Sequence, residues 1–309
     1  MGKTALIFAG QGSQYEKQGA GLYEKYPEVR DIYDLLGEDL KRISFEGDLE
    51  EISKTQNLQP IMIAFQLSVL RLLRNKLPAI DAGCGLSLGE YSAIALAGIV
   101  SENEALDLVR KRGELMGEAS GLIESKMLAL LKVTEEEARE LLAQRPDLDG
   151  KVYIANINSS RQIVVSGEAS GIDELEKFAK EQGKIAKPLV VSGAFHTPFM
   201  EPARVKFAEY LKGVTFKEPV LDYYPNLTGE KYSGQDMKEV LPDQIVSPVL
   251  LYKTFKNMVE DGVDHFVEIG PGGVLSNILK REFSDIRIDT IKDDEDLIKY
   301  LGGRITYGR

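Results

Sequence analysis

Cysteine and histidine are scarce in this sequence. Its 309 residues include one cysteine, Cys84, and two histidines, His196 and His265. A single cysteine excludes a disulfide within the chain and suits a reducing compartment, so we expect a cytoplasmic protein. The few cysteine and histidine side chains also show no spacing typical of a metal site, and no metal is predicted.

Basic residues are outnumbered, and long apolar runs are missing. With 49 acidic and 38 basic residues the formal net charge is -11, which gives no overall attraction to nucleic acid or to an anionic membrane. No uncharged apolar stretch approaches the roughly 18 residues that a membrane-spanning helix needs. The first residues show no signal-peptide pattern. We therefore expect neither a membrane protein nor a secreted one.

Short apolar runs alternate with helical patterns over most of the chain. Residues 4–9, 79–84 and 264–270 have the composition of buried strands, and residues 60–77 and 102–119 have helical periodicity. Strands that alternate with helices are typical of a parallel sheet covered on both faces. We therefore predict an α/β fold.

The middle of the chain follows a different order. Its pattern predicts the βαββαβ order of a ferredoxin-like unit, and Thr134 and Glu137 have the spacing of a helix capping box. We predict a ferredoxin-like subdomain at residues 126–192. It would be inserted in a larger α/β domain formed by residues 1–125 and 193–309.

The stretch CGLSLGEYSA, residues 84–93, contains the pattern G-x-S-x-G between a predicted strand and a predicted helix. That context is typical of a nucleophile elbow, in which Ser87 would attack and the backbone N–H of Leu88 would stabilise an oxyanion. The alternative is an ordinary glycine-rich turn, and the flanking strand and helix favour a nucleophile. Cys84 is interpreted as a small buried residue of the strand.

A serine nucleophile needs a general base, and the two histidines are the candidates. His196 lies in the predicted loop SGAFHTPFM, whereas His265 begins a predicted strand. Catalytic side chains are disproportionately carried by loops. The residues alone therefore favour His196 as the base and a structural role for His265.

Seven motifs are spread over nearly the whole chain. They are FAGQGSQY, GLSLGEYSA, VRKRGELM, ANINSSRQIVVSG, AFHTPFM, QIVSPVLL and VEIGPGGVL, beginning at residues 8, 85, 109, 155, 194, 244 and 267. In sequence and in order they resemble the malonyl-CoA:acyl carrier protein transacylase family. The resemblance implies an α/β-hydrolase-like core with a parallel sheet and an inserted ferredoxin-like subdomain.

The resemblance also implies a role for each matching residue. Ser87 matches the acylated nucleophile and His196 its general base. The backbone amides of Gln11 and Leu88 match the oxyanion hole. Gln244 matches the residue whose main-chain carbonyl orients the histidine, in place of the acid of an ordinary triad.

Arg112 matches the arginine that holds the malonyl carboxylate. A guanidinium can pair with a carboxylate through two parallel hydrogen bonds, although RKRGE by itself reads as a solvated helix face. Met116, Asn156 and Phe195 match residues near the family's acyl pocket and form a second tier of candidates. Phe195 also resembles the pattern of malonyl-selective polyketide acyltransferases.

The implied activity is transfer of a malonyl group from coenzyme A to the phosphopantetheine thiol of acyl carrier protein. It is a ping-pong reaction through a malonyl-serine, it supplies fatty acid synthesis, and it uses no bound cofactor. A free-standing polyketide-synthase acyltransferase is one alternative, and a hydrolase of acyl carrier proteins or esters is another. A silent carrier-binding subunit is disfavoured because Ser87, His196, Arg112 and Gln11 are all present. We expect a monomer.

The chain departs from the family pattern at two positions. Leu86 stands where the family usually has histidine, which removes a possible polar contact, and Ser125 replaces the glycine of a G-x-M-x-A segment. An acidic carrier protein also needs a local basic surface on this acidic chain. The sequence offers several candidates, namely Lys126, Lys132, Arg161, Lys184, Lys187, Lys280 and Arg281.

Overall fold

The computed structural model describes residues 2–74, 76–77, 79–189, 191 and 193–305. The chain divides into two compact units. The first consists of residues 1–113, 215–224 and 258–309, and the second of residues 114–214 and 225–257. The predicted subdomain, residues 126–192, falls within the second unit, which is larger, and the predicted boundaries at 126 and 192 stay a prediction.

The strands belong to two separate sheets. In chain order they are β1 (Lys3–Phe8), β2 (Ala82–Gly85), β3 (Ser125–Leu131), β4 (Val152–Ser159), β5 (Gln162–Glu168), β6 (Ile185–Leu189), β7 (Asp222–Tyr223), β8 (Val263–Ile269) and β9 (Arg287–Ile291). One sheet has the order β7-β2-β1-β8-β9 and the other the order β4-β5-β3-β6.

The first unit is built on the five-stranded sheet, whose neighbouring strands all pair in parallel. Residues Ala5–Phe8 of β1 are fully buried. A central parallel strand is covered on both faces, so it is apolar throughout instead of alternating. This confirms the predicted α/β fold with a parallel sheet.

Nine helices of the described chain begin in the first unit, α7 continuing into the second unit. They are α1 (Ala20–Lys25), α2 (Arg30–Asp34), α3 (Gly37–Glu46), α4 (Leu49–Ser53), α5 (Thr55–Leu73), α6 (Glu90–Leu96), α7 (Glu102–Ser120), and, after the helices of the second unit, α13 (Val274–Glu282) and α14 (Asp294–Ile305). The helical periodicity over residues 60–77 predicts a helix that begins at Pro60. The helix begins five residues earlier, at Thr55, and Pro60 lies inside it.

The second unit contains the four-stranded sheet, in which every pairing is antiparallel. Strand order β4-β5-β3-β6 with two helices between the strands is the ferredoxin-like arrangement, as predicted. The helices that begin in this unit are α8 (Glu135–Ala143), α9 (Ala169–Glu181), α10 (Glu201–Leu211), α11 (Met237–Val246) and α12 (Leu251–Glu260). The last strand of the predicted subdomain is β6, which ends at Leu189; residues 190 and 192 of the predicted range lie outside the described residues.

The core of this subdomain is formed by apolar side chains. Its centre includes Leu128, Leu130, Val165 and Leu175, all of which are fully buried. The predicted capping box at Thr134 is present: the Glu137 amide donates to Thr134 Oγ1 over 3.2 Å, and the Thr134 amide donates to Glu137 Oε2 over 2.8 Å. Among the described helices, none is both long and apolar enough to cross a membrane.

Candidate active site

Ser87 lies on a tight turn between β2 and α6. Its backbone φ is 51°, in the left-handed region that side chains other than glycine rarely adopt. The two flanking glycines allow this turn. A Cβ on Gly85 would lie 2.0 Å from the carbonyl carbon of Gly89, and a Cβ on Gly89 would lie 2.2 Å from the carbonyl oxygen of Phe8. The strand, turn and helix of a nucleophile elbow are therefore present as the motif predicts.

Arg112 lies beside Ser87 and is buried. Its Nη2 donates to Ser87 Oγ over 3.2 Å, its Nη1 donates to Gln59 Oε1 over 3.0 Å, and only 1% of its surface is exposed. The guanidinium carbon is 5.4 Å from the ring centroid of Tyr91, a cation–π distance. The interpretation of this arginine as a solvated helix-face charge, which the residues alone favoured, is wrong.

The surroundings of Arg112 act on its charge in opposite directions. Burial lowers the pKa of the guanidinium, and the nearby Tyr91 and Glu90 oppose that shift. Glu90 is fully buried, and its Oε1 accepts a hydrogen bond from the hydroxyl of Tyr223. An arginine remains charged even when buried, so this cation can receive an anionic group next to Ser87.

Gln11 and Leu88 follow neighbouring parallel strands at matching positions. Phe8 of β1 pairs with Gly85 of β2. Gln11 comes three positions after Phe8, and Leu88 comes three positions after Gly85. The carboxyl ends of parallel strands meet at one edge of the sheet, where α/β proteins place ligands. Gln11 is half-buried and Leu88 is fully buried. Their roles as amide donors stay a prediction.

Two buried glutamines of α5 support this region, and sequence reasoning missed both. Gln59 accepts from Arg112, as described above. Gln66 Nε2 donates to the carbonyl of Ala9 over 2.7 Å, and Gln66 Oε1 accepts from Ser92 Oγ over 2.7 Å. The sequence did hold a signal, namely two glutamines seven residues apart in an apolar helix. This spacing places both side chains on one face, and a polar side chain in an apolar helix is a candidate for a buried hydrogen bond.

His196 and Gln244 lie together in the second unit. His196 Nδ1 is 2.8 Å from the main-chain carbonyl oxygen of Gln244, and its ring is buried, with 4% of the residue exposed. A carbonyl oxygen only accepts, so Nδ1 carries the proton and Nε2 keeps the lone pair that a general base needs. Gln244 itself is buried in α11. This geometry matches the orienting role that the resemblance gives to Gln244.

The second-tier candidates also lie in the second unit. Met116, in α7, and Phe195, beside His196, are buried. Asn156 lies in β4 and forms an isolated parallel bridge to Val249, where the Ile157 amide donates to the Val249 carbonyl over 2.9 Å. Met116 and Asn156 therefore lie in regular elements and Phe195 in a turn, and the pocket roles of all three stay predictions.

His265 and Cys84 have the structural surroundings that the sequence predicted. His265 Nε2 is 2.9 Å from Asp289 Oδ2, and its Nδ1 is 3.3 Å from Thr4 Oγ1. Cys84 is fully buried in β2, and burial raises the pKa of its thiol. Over the described ranges, no group of three or more histidine, cysteine or acidic side chains is arranged to hold a metal ion.

Comparison with known proteins gives consistent matches over the whole length. Residues 5–298 match the acyl transferase domain model. The malonyl CoA-acyl carrier protein transacylase of Bacillus subtilis (strain 168) is 36% identical over 303 residues, which cover 96% of each chain.

Solved structures agree with this match. The malonyl CoA-acyl carrier protein transacylase of Clostridium perfringens superposes with a TM-score of 0.91 at 32% identity, covering 98% of each chain. A malonyl-transacylase solved in complex with its type II polyketide synthase acyl-carrier protein superposes with a TM-score of 0.90 at 31% identity, covering 97% of this chain and 99% of that one. The chain therefore belongs to the malonyl CoA-acyl carrier protein transacylase family of acyl transferase domains.

Proposed function

We propose that this chain transfers a malonyl group from coenzyme A to the phosphopantetheine thiol of an acyl carrier protein, with Ser87 as the acylated nucleophile. The observation that carries the proposal is the hydrogen bond between buried Arg112 and Ser87 Oγ. A nucleophile for acyl transfer and a fixed cation for a carboxylate thereby lie within one hydrogen-bond length. Malonyl is a short acyl group that ends in a carboxylate, so its two ends match these two side chains.

In the first half-reaction His196 Nε2 takes the hydroxyl proton of Ser87. The Ser87 Oγ attacks the thioester carbon, and the amides of Gln11 and Leu88 stabilise the oxyanion. The carbon–sulfur bond then breaks, and the thiolate of coenzyme A takes the proton from His196. The carbonyl of Gln244 stabilises the imidazolium as the acid of a triad would, while Arg112 holds the malonyl carboxylate.

The second half-reaction runs the same steps with a new thiol. His196 takes the proton of the phosphopantetheine thiol, whose sulfur attacks the ester carbon of malonyl-Ser87. The carbon–oxygen bond breaks, and Ser87 Oγ recovers its proton from His196. The protons and the acyl group balance without any further reactant, so the proposal includes no bound cofactor.

The partners follow from this chemistry. The chain binds malonyl-CoA and an acidic carrier protein in the cytoplasm, as a monomer, and binds neither nucleic acid nor membrane. Several basic candidates already have an acidic neighbour: Lys126 pairs with Asp173, and Lys184 and Arg161 share Glu137. Lys132, Lys187, Lys280 and Arg281 are all exposed. We prefer Lys280 and Arg281 as contacts for the carrier, because they are adjacent in the last turn of α13 and place two positive charges together.

Exchange of labelled coenzyme A into malonyl-CoA, measured without carrier protein, tests the proposal. A ping-pong transacylase catalyses this exchange, and Ser87→Ala abolishes it. Release of free malonate in place of exchange would identify the hydrolase alternative. No exchange and no malonate would identify a silent carrier-binding subunit.

A polyketide role is the second candidate. One solved relative is bound to a type II polyketide synthase carrier, and it covers 97% of this chain. Malonylation rates measured with fatty acid and polyketide carrier proteins from the same organism separate the two roles. A clear preference for the fatty acid carrier, as we propose, would exclude the polyketide role.

A further inference from the structure

The backbone of His196 lies in the left-handed region, with a φ of 61°. This backbone conformation is disfavoured for a residue with a Cβ atom. A residue other than glycine keeps it only where the surrounding structure fixes it. Two of the contacts that fix it come from consecutive residues of α11. The His196 amide donates to the Ile245 carbonyl over 3.1 Å, and Nδ1 donates to the Gln244 carbonyl over 2.8 Å.

The next residue, Thr197, connects the chain on both sides of the histidine. Its Oγ1 donates to the carbonyl of Ala194 over 2.6 Å and accepts from the amide of Phe199 over 3.3 Å. Thr197 is also the residue before the 3₁₀ turn Pro198–Met200, and none of its surface is exposed. One hydroxyl therefore closes the loop around His196 through a residue before it and a residue after it.

We propose that Thr197 is a positioning residue that holds His196 in the conformation with a protonated Nδ1 and a free Nε2. The proposal rests on the proposed role of His196 as the base. Without the hydroxyl, the buried carbonyl of Ala194 and the amide of Phe199 lose their shared partner. The loop then relaxes from its left-handed conformation, and the Nδ1 contact to Gln244 weakens.

Two substitutions separate the hydroxyl from the shape of the side chain. Thr197→Val keeps the branched shape and removes the hydroxyl, whereas Thr197→Ser keeps the hydroxyl and removes the methyl group. We expect Thr197→Val to lower kcat/KM for malonyl transfer by roughly tenfold to a hundredfold, because misplacing a catalytic group by about 1 Å has an effect of that order. We expect Thr197→Ser to stay within about threefold of the unchanged protein.

A second measurement reads the imidazole directly. The chain has two histidines, so nitrogen-15 NMR of histidine-labelled protein resolves His196 and leaves His265 as an internal reference for folding. We expect His196 to be a single Nδ1–H tautomer in the unchanged protein and in Thr197→Ser, and a tautomer mixture in Thr197→Val. The His265 signal should be unchanged in all three.

The outcomes decide the proposal separately from the function. The proposal is overturned if Thr197→Val keeps both the tautomer and the rate, or if Val and Ser lower the rate equally with an unchanged tautomer. An active His196→Ala would instead overturn the proposed function, and the NMR spectrum would still decide whether Thr197 orients the ring.

Discussion

Arg112 donates from Nη2 to the hydroxyl of Ser87 over 3.2 Å, so the proposed nucleophile and the buried cation are in direct contact. The same guanidinium is held on its other side by Gln59 and by the face of Tyr91. A fixed arginine loses little freedom when a carboxylate arrives. We therefore propose that Arg112, in contact with Ser87, gives the selectivity for a carboxylate-bearing acyl group.

Replacement of Arg112 should remove the preference for malonyl over acetyl. An acetyl group leaves the buried guanidinium without a carboxylate partner, at a cost of about 2 to 5 kcal/mol. That corresponds to roughly tens to thousands in relative rate. We expect Arg112→Ala to reduce the ratio of kcat/KM for malonyl-CoA to that for acetyl-CoA by such a factor, and Arg112→Lys to restore little of it.

Arg110→Ala is the matched control for this prediction. Arg110 lies on the same helix and donates to the carbonyl of Leu35, so the variant removes the same charge two residues away. Its malonyl-to-acetyl ratio should equal that of the unchanged protein. An unchanged ratio in Arg112→Ala would contradict the assignment of Arg112.

Cys84 should be unreactive in the folded protein although it is three residues from Ser87. Its thiol is fully buried, and burial raises its pKa, so very little thiolate forms. We expect no alkylation by iodoacetamide under native conditions and complete alkylation in guanidinium chloride, measured by intact mass. Rapid alkylation of the folded protein would show that β2 is more accessible than its packing indicates.

Glu137 should contribute to stability at neutral pH and lose that contribution in acid. Its hydrogen bond with Lys184, and then that with the Thr134 amide, lowers the pKa of the carboxyl from its ordinary 4.5 to about 2. A lowered folded-state pKa stabilises the folded protein above pH 4.5, and the effect disappears as the pH falls through 2. As the pH falls from 4.5 to about 2, we expect the free energy of unfolding to decrease less in Glu137→Gln than in the unchanged protein.

Glu136→Gln serves as the control for the acid titration, because it removes the same charge from the neighbouring position of α8. Glutamine at 137 can still complete the capping box, so the helix itself should be retained. Urea unfolding at several pH values between 2 and 6 gives the comparison. Parallel stability curves for Glu137→Gln and the unchanged protein would rule out this role for Glu137.

Charge reversal at the end of α13 should weaken binding of the carrier protein and leave binding of malonyl-CoA nearly unchanged. Lys280 and Arg281 are exposed, and an acidic carrier would be steered by them. We expect the double variant Lys280→Glu/Arg281→Glu to raise KM for the carrier roughly tenfold or more and to leave KM for malonyl-CoA nearly unchanged.

Lys177→Glu makes one charge reversal at an exposed position of α9 and should change neither KM. The carrier effect of the double variant should also shrink at high salt, because exposed charges are screened. An equal rise in the carrier KM for Lys177→Glu would show that net charge alone, and not the α13 surface, governs docking.

Local sequence signals predicted the parts of the fold that depend on short-range chemistry. The βαββαβ order and the Thr134 capping box follow from periodicity and from residues three positions apart, and both are present. The turn at Ser87 was predicted for the same reason, because Gly85 and Gly89, which allow the tight turn, are within two residues of Ser87. Strand β7, with two residues, has too short a pattern to be predicted.

Features that depend on distant residues could not be predicted from the chain alone. Arg112 lies in a charged stretch that is typical of a solvated helix, and it is buried because Gln59 and Tyr91 come from other helices. In the same way Lys126 pairs with Asp173, which is 47 residues away, so its charge is already compensated. Such pairings follow from packing, which residue spacing does not encode.

Malonyl transfer through Ser87 is best tested by intact-protein mass spectrometry of the chain mixed with malonyl-CoA or acetyl-CoA, followed by addition of holo-acyl carrier protein. We expect malonyl to add to the unchanged protein in preference to acetyl, not to add to Ser87→Ala, and to move to the carrier faster than it is hydrolysed. A malonyl adduct that also forms on Ser87→Ala, or that is lost as free malonate at the same rate with or without carrier, would contradict this expectation.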